Sequence, residues 1–214
     1  MKIDIRHMVL TIANAVDLVG VSDVFHGRRV GMMAAECAKA LGWDDVAQLV
    51  LFEAGLLHDC GVSSTREHHS LIQEFEWVGN NAHCEAGQAL LQAFAPLAHL
   101  APIVRYHHSR WEDLSRLGLD PVVAMRANLI HLVDRVDAWA TPYYRDESLL
   151  LHLADIRELV NHHRHSIFSA DLVDAFLDAS TQRPSGYNLI RPTFRSMWMT
   201  WKDVWSLVAE RCRI

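Results

Sequence analysis

Apolar residues recur at helical spacing along nearly the whole chain, and no stretch shows the strict alternation of a strand. Residues 24–41 carry Val30, Met33, Ala34, Cys37, Ala38 and Leu41 on one stripe, with Asp23 placed to cap the start. A second helix is expected over about 45–58, from Asp44-Asp45 through LVLFEAGLL. Residues 64–82 are polar and irregular, and read as a loop with a helical turn or two. Further helices are expected at roughly 83–94, 100–110, 121–140, 147–163 and 170–179. Pro102 falls in a first turn, where a missing N–H costs little, and Pro96, Pro121 and Pro142 punctuate the rest. The first 21 residues read as a leading helix, since Asp4 and Asp17 and the lack of a cleavage-like site argue against a signal peptide. STQRPSG (180–186) reads as a linker, and beyond it Met197, Trp198, Trp201, Val204, Trp205 and Val208 share one helical face. The expected fold class is all-α, with one domain over 1–179 and a linker plus Trp-rich helix over 180–214.

The apolar stripes are interrupted in a consistent way. His58 falls four residues after Ala54 on the inward face of its helix, with Asp59 beside it. His26 precedes Val30 by the same spacing, and His83 precedes Gly87, Leu90, Leu91 and Phe94. His107 and His108 extend the series Leu100, Ile103, Val104, and Asp134 sits between Ile130 and Ala138. A single histidine on an apolar face is usually a hydrogen-bonded core residue. Five imidazoles and two carboxylates buried together would cost several kcal/mol per group unless a strong partner compensates. Bound cations supply that partner. The set is too large for one tetrahedral zinc and suits two adjacent cations bridged by Asp59. Imidazole and carboxylate without thiolate fit Fe or Mn at least as well as Zn, with Ni and Mg as further candidates.

Composition narrows the partners. The formal charge is −6 with no Lys/Arg block, which excludes a nucleic-acid polymer as the expected partner. The four cysteines lack CxxC spacing, as expected of reduced thiols in the cytoplasm. No run of about 18 apolar residues exists, so no membrane association is expected.

Six fragments, in order over about residues 22–178, resemble the HD superfamily of metal-dependent phosphohydrolases, most closely its HD-GYP branch. FHGRRV resembles the opening His helix, LLHDCG the HD motif, and HCEAG the HPxxG helix start. VRYHHSRWED is similar to HHERWDG, LVDRVDAW to VADxxDA, and FSADLVDAF to the closing FDPxLVxAF. The resemblance implies an HD helical bundle with two divalent cations in its core. It assigns His26, His58, Asp59 and Asp134 to one metal, and Asp59, His83, His107 and His108 to the other. It also implies hydrolysis of a phosphodiester, cyclic di-GMP or a related nucleotide, by a hydroxide bridging the metals in bacterial signalling, with His58 and Asp59 at the catalytic centre. Ser22 stands where some relatives carry an additional carboxylate, so two metals are expected and not three.

Departures from the family pattern concern the substrate. Val62 replaces the lysine that usually follows HDxG, and the GYP loop is missing after Trp111. Thr141, in TPYYR, replaces the arginine of RPYR, leaving Arg110, Arg135 and Arg145 as candidate phosphate contacts. His131, one turn before Asp134, and Asp137 are expected behind the ligands, orienting them. His68 and His69 read as solvated loop residues, and His162, His163 and His165 as an exposed helix end. The tryptophan face is expected either to dock on the domain or to form a homodimer or interdomain surface. A small nucleotide phosphodiesterase is the leading reading. A regulatory module that binds without turnover and a di-iron oxygenase are the alternatives.

Overall fold

The computed structural model describes residues 5–17, 25–63, 81–144 and 148–181. They form α1 (Ile5–Asp17), α2 (His26–Ala40), α3 (Asp45–Leu57), α4 (Asn81–Gln92), α5 (Ala101–Tyr106), α6 (Trp111–Leu114), α7 (Pro121–Ala140), α8 (Leu149–His162) and α9 (Ala170–Ala179). Short 3-10 turns cover Ala95–Leu100 and Thr141–Tyr143. Among the described residues there is one isolated bridge, Arg164 to Phe168, and no strand. None of the described helices is long and apolar enough to cross a membrane. Cys37, Cys60 and Cys84 are free thiols.

Local chemistry sets several boundaries. The Asp44 side chain caps α3 by accepting from the Ala47 N–H at 2.8 Å. Asp120 does the same for Val122 at the start of α7, with Pro121 in its first turn. Asn128, fully buried in α7, donates to the Ile167 carbonyl and accepts from the Ser169 N–H, which fixes the entry to α9. α7 is the central helix and packs on α2, α3, α5, α6, α8 and α9. Around it Val30, Met33, Leu51, Leu57, Ile103, Leu129, Ile130, Val133, Phe168 and Phe176 form one continuous core.

Two glycine seams bring the chain close to itself. At Gly55, a Cβ would lie 2.4 Å from the Gly31 Cα, so α2 and α3 cross with their backbones in contact. At Gly61, a Cβ would lie 2.0 Å from the His83 carbonyl oxygen and 2.4 Å from the Gly87 nitrogen. The turn after α3 is thus pressed onto the first turn of α4.

Several helix ends differ from their expected bounds by one to four residues, and three of these differences bear on the site. α2 begins at His26, not at 24, because Phe25 takes a left-handed conformation (φ 85°) and its carbonyl accepts the first helical bond from Arg29. α4 starts at Asn81, two residues inside the stretch expected to be loop. The helix expected over 100–110 ends at Tyr106, and His107 and His108 lie in the turn that follows. That turn is closed by Ser109 N–H to the Tyr106 carbonyl, and the two imidazole rings lie 4.1 Å apart in it, centre to centre. The tryptophan face of 197–208, His68, His69, Arg145 and Cys212 lie outside the described residues.

Candidate metal centre

Five elements deliver seven side chains to one buried spot. α2 supplies His26, the end of α3 supplies His58 and Asp59, α4 supplies His83, the turn after α5 supplies His107 and His108, and α7 supplies Asp134. His26, His58, Asp59, His83, His107 and Asp134 are at most 7% exposed, and His108 is partly buried. Ligand atoms of Asp59, His83, His107 and His108 lie within 4.8 Å of one another, as do those of His26, His58 and Asp59. Asp134 Oδ1 joins the second group, 3.3 Å from His26 Nε2 and 3.7 Å from His58 Nε2.

Asp59 belongs to both groups through different oxygens. Oδ1 lies 3.6 Å from His83 Nε2 and 3.8 Å from His107 Nε2. Oδ2 lies 3.5 Å from His58 Nε2 and 3.9 Å from His26 Nε2.

Hydrogen bonds on the far side of three rings fix which nitrogen faces inward. His58 Nδ1 meets the Gly55 carbonyl at 2.8 Å and His107 Nδ1 meets the Val104 carbonyl at 2.7 Å. A carbonyl only accepts, so both Nδ1 atoms carry a proton and Nε2 is the nitrogen of each ring left to take a cation. His26 Nδ1 likewise donates to Asp137 Oδ2 at 2.7 Å. The inward nitrogens then face each other, 3.2 Å apart for His26 and His58 and 3.4 Å for His83 and His107. Two nitrogens bound at the usual distance to one cation, at angles of 90–110°, are roughly 2.9–3.4 Å apart. Asp59 Oδ1 and His108 Nε2 are buried without a hydrogen-bond partner, which would cost about 1–3 kcal/mol each if nothing else satisfied them. The donor set therefore fits divalent cations.

The electrostatics have two sides. Burial, helped by His83 and His58, pushes the His107 pKa down to about 3. Burial and His107 likewise hold His108 well below the ordinary value. These imidazoles are neutral, as metal ligands must be. Burial opposes charge on Asp59, but His58, His83 and His26 outweigh it and keep the carboxyl low. Asp134 is held low against burial by Arg135 and His26. Burial would lower His26, yet its hydrogen bonds to Asp134 and Asp137 raise it well above the ordinary range. His58 rises too, burial being outweighed chiefly by Asp59. Protons and cations thus compete at the His26 and His58 nitrogens. Metal uptake at neutral pH is expected to release protons, read by calorimetry in buffers of different ionisation enthalpy. Binding heats that ignore the buffer would contradict this.

The residues expected around the ligands are placed as follows. His131, lowered to about 4 by burial and by Arg135, lies edge-on to His108 at 5.5 Å and donates to the Ser109 carbonyl. Asp137 lies directly behind His26. Arg135 is buried and donates to Asp134 Oδ2 at 2.8 Å, so it braces a ligand and does not lie open to substrate. Arg110 is partly exposed and donates to Glu112 at 2.7 Å. His162 and His165 are exposed. Arg29, Tyr144 and Cys84 were not singled out by the sequence. Cys84 Sγ packs 3.6 Å from both His83 Nε2 and His107 Nδ1. Arg29 carried a signal, standing three residues after His26 on the same helical face.

An all-helical bundle whose helices converge on adjacent His/Asp groups defines a His–Asp metal-centre domain. Residues 24–155 match the HD domain model, and the chain belongs to that family. It is also 39% identical over 146 residues to the 3'3'-cGAMP-specific phosphodiesterase 1 of Vibrio cholerae serotype O1. That match covers 68% of this chain and 34% of the relative, so the chain spans about a third of the curated relative's length. No solved structure matches it.

Proposed function

We propose that the protein is a binuclear metal phosphodiesterase of the HD-GYP-like branch that opens a 3'3'-linked cyclic dinucleotide. The observation that carries this is the division of Asp59 between two imidazole groups, one oxygen to each. One cation is assigned to His26, His58, Asp59 and Asp134, and the other to Asp59, His83, His107 and His108. Fe or Mn is the expected occupant. Cations held there would lower the pKa of water to make a nucleophile and would neutralise charge on the phosphoryl oxygens. The chain's own part is to hold neutral imidazoles and ionised carboxylates in fixed directions. Val104 and Gly55 carbonyls and the Asp137 carboxylate set the rings, and Arg135 sets Asp134. The likeness to a 3'3'-cGAMP phosphodiesterase supports the substrate class; cyclic di-GMP is the second candidate within it. The test is a panel of 3'3'-cGAMP, cyclic di-GMP and their linear products, assayed with Mn(II) and Fe(II). Linearised product supports the reading. Two bound metals with no turnover across the panel would favour a regulatory binding module, and O₂-dependent turnover a di-iron oxygenase.

Val62 offers a second check. Its N–H donates to the Asp59 carbonyl at 2.9 Å, so its side chain leaves the chain next to the bridging residue. A lysine at this place would add a charge-assisted contact to phosphate of about 1.5–3 kcal/mol, roughly one to two decades. Val62→Lys is expected to raise kcat/KM for a cyclic dinucleotide. An unchanged or lower value would mean that phosphate is gripped elsewhere.

A further inference from the structure

The buried Asp137 carboxylate accepts four hydrogen bonds. Oδ2 receives His26 Nδ1 at 2.7 Å and Arg29 Nη2 at 3.0 Å. Oδ1 receives Arg29 Nε at 2.7 Å and the Tyr144 hydroxyl at 2.6 Å. The Arg29 guanidinium also lies over the Tyr144 ring, 4.6 Å from its centre. Thr141 donates its hydroxyl to the Asp137 carbonyl at 2.9 Å. A carboxylate offers about four lone-pair sites, so Asp137 has none left for a metal.

We infer that Arg29 and Tyr144 form a clamp on Asp137 that fixes the His26 ring, making all three positioning residues for one of the two metals and not the other. The inference rests on the two-metal reading above. Three separate pieces of chain meet at the carboxylate: α2 through His26 and Arg29, α7 through Asp137, and the turn after α7 through Tyr144. Arg29 binds both oxygens in its fork and so prevents the carboxylate from rotating. A carboxylate that cannot rotate can receive His26 Nδ1–H in one direction only, and that direction points Nε2 at His58 Nε2 and Asp134 Oδ1. The three imidazoles of the other group take no part in the clamp: His107 is set by the Val104 carbonyl, and none of the four bonds to Asp137 comes from His83 or His108. The TPYY turn, where the chain departs from RPYR, thereby gains a purpose. Thr141 ties its start to Asp137, and Tyr144 ties its end to the same residue.

The test is metal binding by the full-length protein, titrated with Mn(II) and counted by elemental analysis and by electron paramagnetic resonance. Groups that orient metal-ligating histidines typically change affinity 10–100-fold. Asp137→Asn, which removes the charge and sets an NH2 donor against donors of the clamp, is expected to weaken one equivalent by that range and to leave the other unchanged. Tyr144→Phe, which removes one hydroxyl, is the milder variant and is expected to weaken the same equivalent up to about tenfold. His108→Ala should weaken the opposite equivalent. If Asp137→Asn fails to fold, Tyr144→Phe alone decides. Loss of both equivalents in parallel, or retention of both, would overturn the clamp while leaving the two-metal reading standing. A wild-type protein that never takes two equivalents would instead overturn that reading.

Discussion

Asp59→Ala is expected to strip both metals from the protein, whereas His83→Ala loosens mainly one. The asymmetry follows from geometry. His83 lies beside one oxygen of Asp59 only, but Asp59 turns Oδ1 to His83 and His107 and Oδ2 to His58 and His26. Removing the carboxylate also removes one of the two negative charges that face both His26 Nε2 and His58 Nε2 within 4 Å, leaving Asp134 as the other. On the proposed two-metal reading the pair would contribute several kcal/mol of charge stabilisation, and the proposed phosphodiesterase activity should then fall by about three decades or more. Elemental analysis after anaerobic, chelator-free purification reads the metals, and circular dichroism checks that the helices persist. Equal metal retention in Asp59→Ala and His83→Ala would show that the bridge is elsewhere.

The helices and the convergence of buried histidines and aspartates were legible in the sequence for the same reason. Burial imposes a 3.6-residue period, and a histidine or aspartate that keeps that period is visible as an exception to it. His26, His58, His83 and Asp134 are such exceptions, and the structure brings them together with Asp59, His107 and His108. The clamp was not legible. Arg29 and Tyr144 meet across more than a hundred residues, and neither interrupts an apolar stripe. The end of the helix at Tyr106 was hidden too, because Leu100, Ile103, Val104, His107 and His108 fit a continuous helical period whether or not the last turn is helical. Arg135 illustrates a third case. Its charge suggested a phosphate contact, but being next to Asp134 on a buried face commits it to that ligand. Chemistry that depends on which way a side chain turns within one residue of a site is not written in spacing.

The glycine seams carry the other large effect, because each separates one pair of ligands. Gly55 holds α2 against α3 and so sets the His26 to His58 distance. Gly61 holds the Asp59 turn against α4 and so sets the Asp59 to His83 distance. In both places the atoms a new Cβ would meet belong to backbone, which cannot rotate away as a side chain would. Gly55→Ala and Gly61→Ala are each expected to cost about 1–3 kcal/mol or more through overpacking, lowering Tm by roughly 2–12 °C in a chain of this size. Their effects on metal should differ: Gly55→Ala should weaken the cation at His26 and His58, and Gly61→Ala the one at His83. Gly118→Ala is the control, since Gly118 has φ 64° and open space around it. Its conformational strain costs about 1–2 kcal/mol, yet it should leave both metals in place. A Gly61→Ala protein with wild-type Tm and full metal content would mean that the turn carrying Asp59 is not pressed onto α4.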